Sequence, residues 1–203
     1  KNLPIMLALV GIWNINFECY NSLAILPYDH RLGRFPAFIQ QLDMESSGKS
    51  VSKADNLLDI MTGPVVFGEP GTNSQHAFFQ SLHQGTHTIP ADFIIIANAK
   101  HQLNEHHQKL ISNALAQTRA LMYGKTFEES HGENFRTFRG GRPTNTLLIR
   151  DLSPRSLGQL VALYEHKVFV QGIIWDINTF DQWGVQLGKE MAKDVLSKIH
   201  SSN

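Results

Sequence analysis

The sequence has little cysteine and no excess of charge of either sign. Its 203 residues contain a single cysteine, Cys19, which excludes an internal disulfide framework and fits a reducing compartment. The 18 basic side chains are matched by 18 acidic ones, so the formal net charge is zero. A neutral chain has no electrostatic attraction to nucleic acid or to an anionic membrane surface. We therefore expect a cytoplasmic protein that binds neither of them.

A hydrophobic run long enough to span a bilayer is also missing. The apolar stretch from Leu3 to Trp13 superficially resembles the core of a signal peptide, but it is too short for a transmembrane helix. It also lacks a small-residue cleavage site. We interpret it as a buried helix of a soluble protein. The chain begins with Lys1 and not with methionine, which indicates that a preceding segment is missing.

Several motifs of well-known chemistry are absent. The sequence contains no G-x-S-x-G elbow, no Walker or G-x-G-x-x-G loop and no H-E-x-x-H motif. Ten histidines keep a metal site open as an alternative, with His83 and His87 at H-x-x-x-H spacing and a second group at 101, 106 and 107. However, His87 falls in an apparent loop and no cysteine ligand set accompanies either group. We therefore predict no metal.

The distribution of apolar residues predicts an α/β fold. Four short, continuous apolar runs have the composition of strands buried on both faces of a parallel sheet, namely 23–28, 64–67, 93–97 and 146–149. Helical spacing predicts helices between and after them, with a capping box at Thr72 and Gln75, a stop at Gly124, a cap at Ser153 and a last helix over 183–199. Together they predict a single lobe over 1–203, a three-layer α/β/α sandwich with a mostly parallel, doubly wound sheet.

Two polar residues share a face of the helix predicted after the first strand. Gln41 and Glu45 are four positions apart, on a face that points away from the apolar stripe of this helix. A carboxylate beside an amide near a helix end has the chemistry of a general base. The alternative is an ordinary solvated helix face, which the spacing alone favours.

Two further side chains are candidates by position. His76 follows a strand and a turn that contains glycine and proline (GEPG, 68–71). We predict that it lies in the first turn of a helix opening at Thr72, where the helix dipole favours neutral imidazole. The alternative is a histidine that caps or packs on the turn. Lys189 stands seven residues after Gln182, so a helix would place both on one face. The alternative is that Lys189 is an ordinary solvated lysine without a catalytic role.

Several long segments resemble the glucose-6-phosphate isomerase family, and specifically its carboxyl-terminal portion. The resemblance covers nearly the whole chain except 126–140. The segments that carry it are GIWNINF (11–17), ILPYDHRLGRFPAFIQQLDMES and GK (25–49), GPVVFGEPGTNSQHAFFQSLHQGTHTIPADF (63–93), LAQTRALMYGK (115–125), GRPTN (141–145) and YEHKVFVQGIIWDINTFDQWGVQLGK (164–189).

The resemblance implies roles for the candidate residues. Glu45 matches the base that moves a proton between C1 and C2 through a cis-enediol, and His76 matches a residue that assists ring opening from the neighbouring subunit of a homodimer. Lys189 matches the lysine on the ring-oxygen side. Gln41 and Gln182 match glutamines that contact the sugar-phosphate substrate. The family scheme implies no cofactor and no metal.

Departures from the family pattern limit this implication. Gln186 stands where the family usually has Glu, Ser74 where Gly is usual and Phe67 where Trp is common. The phosphate-binding Ser/Thr loop and the Gly-Arg pair of the amino-terminal half are absent. We therefore expect a nearly inactive fragment that lacks its amino-terminal lobe. The alternative function is a sugar-phosphate-binding regulatory module without turnover, although such a module needs no complete set of Glu45, His76 and Lys189.

Overall fold

The sheet has four strands, and every neighbouring pair is parallel. The computed structural model describes residues 2–201. The strands are β1 (Ser22–Tyr28), β2 (Val65–Phe67), β3 (Ala91–Ile96) and β4 (Thr144–Ile149). Their order across the sheet is β2-β1-β3-β4. Because β1 leads outward to β2 and the chain then crosses back to β3, the sheet is doubly wound as predicted.

Helices cover both faces of the sheet. They are α1 (Leu3–Ile12), α2 (Phe35–Ser47), α3 (Gly71–Gln75), α4 (Phe79–Gln84), α5 (Asn104–Tyr123), α6 (Pro154–Ile174) and α7 (Gln186–Ser201). Alternate side chains of β1 enter two separate cores, with Leu23 and Ile25 packed against α2 and α6, and Ala24 and Leu26 packed against α4 and α5. The three-layer prediction is confirmed.

The predicted burial of the strands holds only for the inner pair. All of β3 is buried, and β1 is buried over residues 23–28. The prediction of burial on both faces is wrong for the outer strands, since Val65 of β2 is 56% exposed and Leu148 of β4 is 67% exposed. Apolar side chains on an edge strand do not by themselves indicate which face a helix covers.

The first and last helices lie open to solvent. The prediction that the apolar stretch 3–13 forms a buried helix is wrong in its burial, because only Ala8 and Ile12 of α1 are buried. Leu3, Met6 and Leu9 are about half exposed or more, while the opposite side of α1 packs on α6. None of the described residues of α7 is buried.

Two helix boundaries follow their sequence signals and one does not. Ser153 caps α6 in a reciprocal capping box with Ser156, and α5 ends at Gly124, which has a φ of 68°. The capping box predicted at Thr72 is wrong. Helix α3 begins one residue earlier, at Gly71, after the extended Pro70, and has no side-chain cap.

Candidate active site

The candidate base and two candidate glutamines line one groove. Gln41 and Glu45 both lie on the exposed side of α2, as predicted from their spacing. Gln182 reaches the same place from the segment that follows α6. We call this space of about 350 Å³ the Glu45 groove; its walls include Phe38, Gln41, Glu45, Phe180, Asp181 and Gln182. A carboxylate between two amide side chains can accept a proton while the amides hold hydroxyl groups.

The segment that carries Gln182 is fixed by a small core of its own. Trp175 and Ile177 are buried against Ile12 and Ile15, and the Trp175 indole N–H donates to Asn16 Oδ1 at 2.8 Å. Phe180 then adopts a left-handed φ of 67°, which is rare for a bulky side chain. This turn directs Asp181 and Gln182 toward the end of α2.

Two charged residues at or beside the groove were not among the sequence predictions. Asp181 lines the groove, and Lys49 lines the adjoining space, which Glu45 also borders. The Lys49 ammonium donates to the Glu45 backbone oxygen at 2.5 Å and to the Ser46 oxygen at 3.0 Å. Partial burial lowers the pKa of Lys49, against the opposing negative charges of Asp181 and Glu45. Lys49 follows the end of α2 at Ser47, and a lysine just past a helix end is a sequence signal for hydrogen bonds to the last backbone oxygens. Asp181 had no such signal, because its approach depends on the turn at Phe180.

His76 lies elsewhere in the molecule. It is the C-cap of α3, exposed, on the face of the sheet opposite to α2. The prediction that His76 sits in the first turn of a helix is therefore wrong, and so is the dipole argument for neutral imidazole. Helix α3 has only five residues, since the chain turns at 76–78 before α4. The predicted place after the carboxyl end of β2 is correct.

Close packing of Gly71 fixes the start of the short helix that carries His76. A β-carbon at Gly71 would overlap the ring of Tyr28, which is 1% exposed beneath it. We expect Gly71→Ala to lower the free energy of unfolding by about 1–3 kcal/mol, because the ring has no room to move. Urea denaturation measures this change.

A matched control is Gly158→Ala on the exposed side of α6, where a β-carbon meets nothing within 4 Å. Alanine there should raise stability by up to about 1 kcal/mol, through helix propensity alone. Equal effects of the two substitutions would contradict the packing argument.

Lys189 is separate from the Glu45 groove as well. It lies on α7 and is exposed. The predicted shared helix face of Gln182 and Lys189 is wrong, because α7 begins only at Gln186, after a turn at 184–185. Gln186, one of the three residues that depart from the family pattern, is thus the first residue of this helix.

A buried polar network lies behind α2. The Lys167 ammonium of α6 donates to Asp43 Oδ2 at 2.8 Å, and these side chains are 2% and 0% exposed. Beside them, Asp92 of β3 accepts from the Tyr164 hydroxyl at 2.9 Å and from Asn145 Nδ2 at 2.8 Å. Burial raises the pKa of Asp92, against the opposing charge of Lys167, and burial also raises the pKa of Tyr164.

The raised pKa of Asp92 predicts a defined dependence of stability on pH. Between its unfolded pKa of about 3.9 and its higher folded pKa, the folded chain keeps a proton that the unfolded chain releases. Stability from this group is therefore present at acidic pH and is lost as the pH rises. We expect Asp92→Asn to remove this loss, so that the stability of the variant relative to the parent chain increases from pH 4 to pH 7. A difference that stays constant over this range, measured by urea denaturation, would contradict the assignment.

Two histidines of the candidate metal groups form hydrogen bonds within the protein. His83 Nε2 lies 2.8 Å from Gln117 Oε1, and His107 Nε2 lies 3.1 Å from the Ala97 backbone oxygen. Within residues 2–201, no three His, Cys, Asp or Glu side chains are grouped to hold a metal ion. No helix in the same range is long and apolar enough to cross a membrane.

Comparison with known proteins gives a single result. The model of the phosphoglucose isomerase family matches residues 1–203. The glucose-6-phosphate isomerase of Campylobacter jejuni subsp. doylei is 53% identical over 214 residues, which cover 98% of this chain and 39% of that protein. The enzyme of Helicobacter pylori strain J99 is 52% identical over 220 residues, covering 100% of this chain and 40% of its own length. This chain thus spans about two fifths of the length of these relatives.

Solved structures agree with the sequence comparison. A glucose-6-phosphate isomerase from Chlamydia trachomatis superposes with a TM-score of 0.91 at 40% identity, covering 98% of this chain and 39% of that one. A hypothetical protein from Thermus thermophilus superposes with a TM-score of 0.71 at 22% identity, a likeness of fold alone. From the match over its full length, the chain belongs to the phosphoglucose isomerase family.

Proposed function

We propose that this chain is one lobe of an aldose–ketose isomerase that interconverts glucose 6-phosphate and fructose 6-phosphate, in glycolysis and gluconeogenesis. The observation that carries the proposal is the convergence of Gln41, Glu45 and Gln182 in one groove of a phosphoglucose isomerase chain. The Campylobacter and Helicobacter relatives named above are both glucose-6-phosphate isomerases, so the alternative of a regulatory module without turnover finds no support from them.

Glu45 is the proposed base. Its carboxylate takes the proton from C2 of the open-chain sugar and returns it to C1 through a cis-enediol, a step for which a positioned base contributes about 10²–10⁴-fold. Gln41 and Gln182 hold the sugar so that the C2 proton faces the carboxylate. The reaction moves protons within one substrate and needs no cofactor.

His76 and Lys189 require an additional explanation, since both lie outside the Glu45 groove. We propose a homodimer in which His76 of one chain assists ring opening in the groove of the other chain. Its exposed position, on the opposite face of the sheet from Glu45, supports a role at a neighbouring chain. Helix α7, which carries Lys189, is fully exposed and amphipathic and supports docking against further protein.

The remainder of the relatives' length supplies the other parts of the proposed site. A substrate phosphate and an enediolate need cationic donors, and among the described residues no lysine or arginine lines the Glu45 groove. The exposed apolar side of α1 supports contact with an amino-terminal lobe. We therefore expect the 203-residue chain alone to be nearly inactive, and we place the complete enzyme in the cytoplasm, where the exposed thiol of Cys19 stays reduced.

Hybrid dimers test the shared site. Glu45→Gln and His76→Asn are each introduced into a full-length isomerase chain that contains this sequence, and the two inactive variants are unfolded together and refolded. In a mixed dimer, one site holds both substitutions and the other holds neither. Random pairing should therefore restore about a quarter of the parent activity on fructose 6-phosphate.

Each variant refolded alone is the control and should stay inactive. If the mixture stays as inactive as the separate variants while mixed dimers are shown to form, His76 does not act across a dimer. If His76→Asn alone has parent activity, its role in ring opening is wrong.

A further inference from the structure

The helix that carries the proposed base is attached to the core by one buried ion pair. Asp43 lies on α2, two residues before Glu45, which places the two side chains about 200° apart around the helix axis. Glu45 thus faces the groove while Asp43 faces the interior. There it accepts from the Lys167 ammonium of α6 at 2.8 Å.

The other contacts of α2 restrict its rotation less. Phe35 and Ile39 are buried in the apolar core, where packing is non-directional, and Gln40 Nε2 donates to the Val66 backbone oxygen at 2.8 Å near the middle of the helix. The ion pair at Asp43 is the directional contact closest to Glu45 on the buried side. With side chains about 5–6 Å from the helix axis, a rotation of about 10° would move the Glu45 carboxylate by roughly 1 Å.

The surroundings of the pair are poorly suited to stabilising the fold. Within the described part of the chain, Asp43 Oδ1 has no hydrogen-bond partner, and neither has either side-chain polar atom of Gln171, one turn beyond Lys167. The space beside Lys167, bounded also by Asp92 and Gln171, has a cavity volume of only about 20 Å³. A buried polar network that is incompletely paired costs stability, compared with an apolar contact of the same shape.

We propose that Asp43 and Lys167 are positioning residues, which fix the rotation of α2 and thereby hold the Glu45 carboxylate at the substrate. Neither touches the groove, and both act through the backbone of α2. The inference rests on the proposed function, because it needs Glu45 to be the base.

The test uses an isosteric, apolar replacement of the whole pair, Asp43→Leu with Lys167→Met, in the full-length isomerase chain that contains this sequence. Replacing both partners leaves no unpaired charge, so the chain is expected to fold. The expected result is a fall in kcat toward roughly 100-fold, the loss that a 1 Å misplacement of a reacting group causes. KM for fructose 6-phosphate should change by a smaller factor than kcat, since Gln41 moves with Glu45 on α2 but Gln182, on another segment, stays in place.

A matched control is Tyr164→Phe with Asp92→Asn. It removes the neighbouring buried hydrogen bond between α6 and β3 but keeps the aromatic ring at 164 that packs against Phe35 of α2, and it leaves the Asp43–Lys167 pair in place. This control should keep kcat within about twofold of the parent value. A thermal scan of each variant shows whether it is folded.

The outcomes distinguish a failure of the positioning role from a failure of Glu45 as the base. If Glu45→Gln abolishes activity and the folded double variant keeps the parent kcat, the positioning role is overturned and the proposed base stands. If Glu45→Gln itself keeps the parent kcat, the proposed function fails first. If the double variant does not fold, the conservative Lys167→Arg variant decides, because it keeps the charge but moves the donor. A folded Lys167→Arg whose kcat falls by a larger factor than its KM changes supports positioning. A folded Lys167→Arg with the parent kcat overturns it.

Discussion

Replacement of Glu45 by Gln should reduce kcat on fructose 6-phosphate by about 10²–10⁴-fold, because the amide cannot accept the C2 proton. The substitution preserves the shape of a side chain that is exposed at the groove. KM should change little, since Gln41 and Gln182 keep their positions. A coupled assay on the full-length isomerase chain that contains this sequence measures both constants.

Glu105→Gln is the matched control. Glu105 is another exposed helical carboxylate, at the start of α5 on the opposite face of the sheet, where it pairs with Lys109. Its replacement should leave kcat unchanged, because exposed ion pairs contribute little. A Glu45→Gln variant with the parent kcat would show that another group removes the proton.

The largest expected effect on stability comes from breaking the buried ion pair. Asp43→Leu leaves the Lys167 ammonium in the core without its ion-pair partner, and Lys167→Met leaves Asp43 without its donor. Each single substitution should lower the free energy of unfolding by about 3–5 kcal/mol, the cost of an uncompensated buried charge. Urea denaturation of the 203-residue chain measures these losses.

The double variant completes the cycle. Asp43→Leu with Lys167→Met should be close to the parent chain in stability, or more stable, because both charges leave the core together. Additive losses from the two single substitutions would contradict a direct ion pair. The exposed pair of Lys198 with Asp194 on α7 gives a contrast, since removing its carboxylate should cost less than about 1 kcal/mol.

Local sequence signals predicted those parts of the fold that local physics determines. The four strands begin and end within two residues of the predicted runs, because continuous apolar runs bounded by turns have few alternatives in a parallel sheet. The cap at Ser153 and the stop at Gly124 were predicted by residue chemistry alone. The exposure of α1 and β4 was not predicted, because it depends on whether another element covers their apolar side chains. An apolar sequence has the same pattern whether it is covered or exposed.

The parts of the candidate site that lie within one helix were predicted from the sequence, and the parts that depend on contacts between distant segments were not. Gln41 and Glu45 lie on one helix, so their spacing sufficed. The helix dipole argument for His76 failed because α3 stops after five residues, and the pairing of Gln182 with Lys189 failed because α7 begins at Gln186. Asp181 and the Asp43–Lys167 pair join segments far apart in sequence. Periodicity within one segment has no information about such contacts.

The most direct test of the account is the exchange of the substrate proton with solvent. Glucose 6-phosphate is converted in deuterium oxide by the full-length isomerase chain that contains this sequence, and the product is analysed by mass spectrometry and NMR. If Glu45 carries the proton between C2 and C1, deuterium should appear at C1 of fructose 6-phosphate, and Glu45→Gln should abolish this incorporation together with turnover. Incorporation or turnover that persists at the parent level in Glu45→Gln would contradict proton transfer by Glu45.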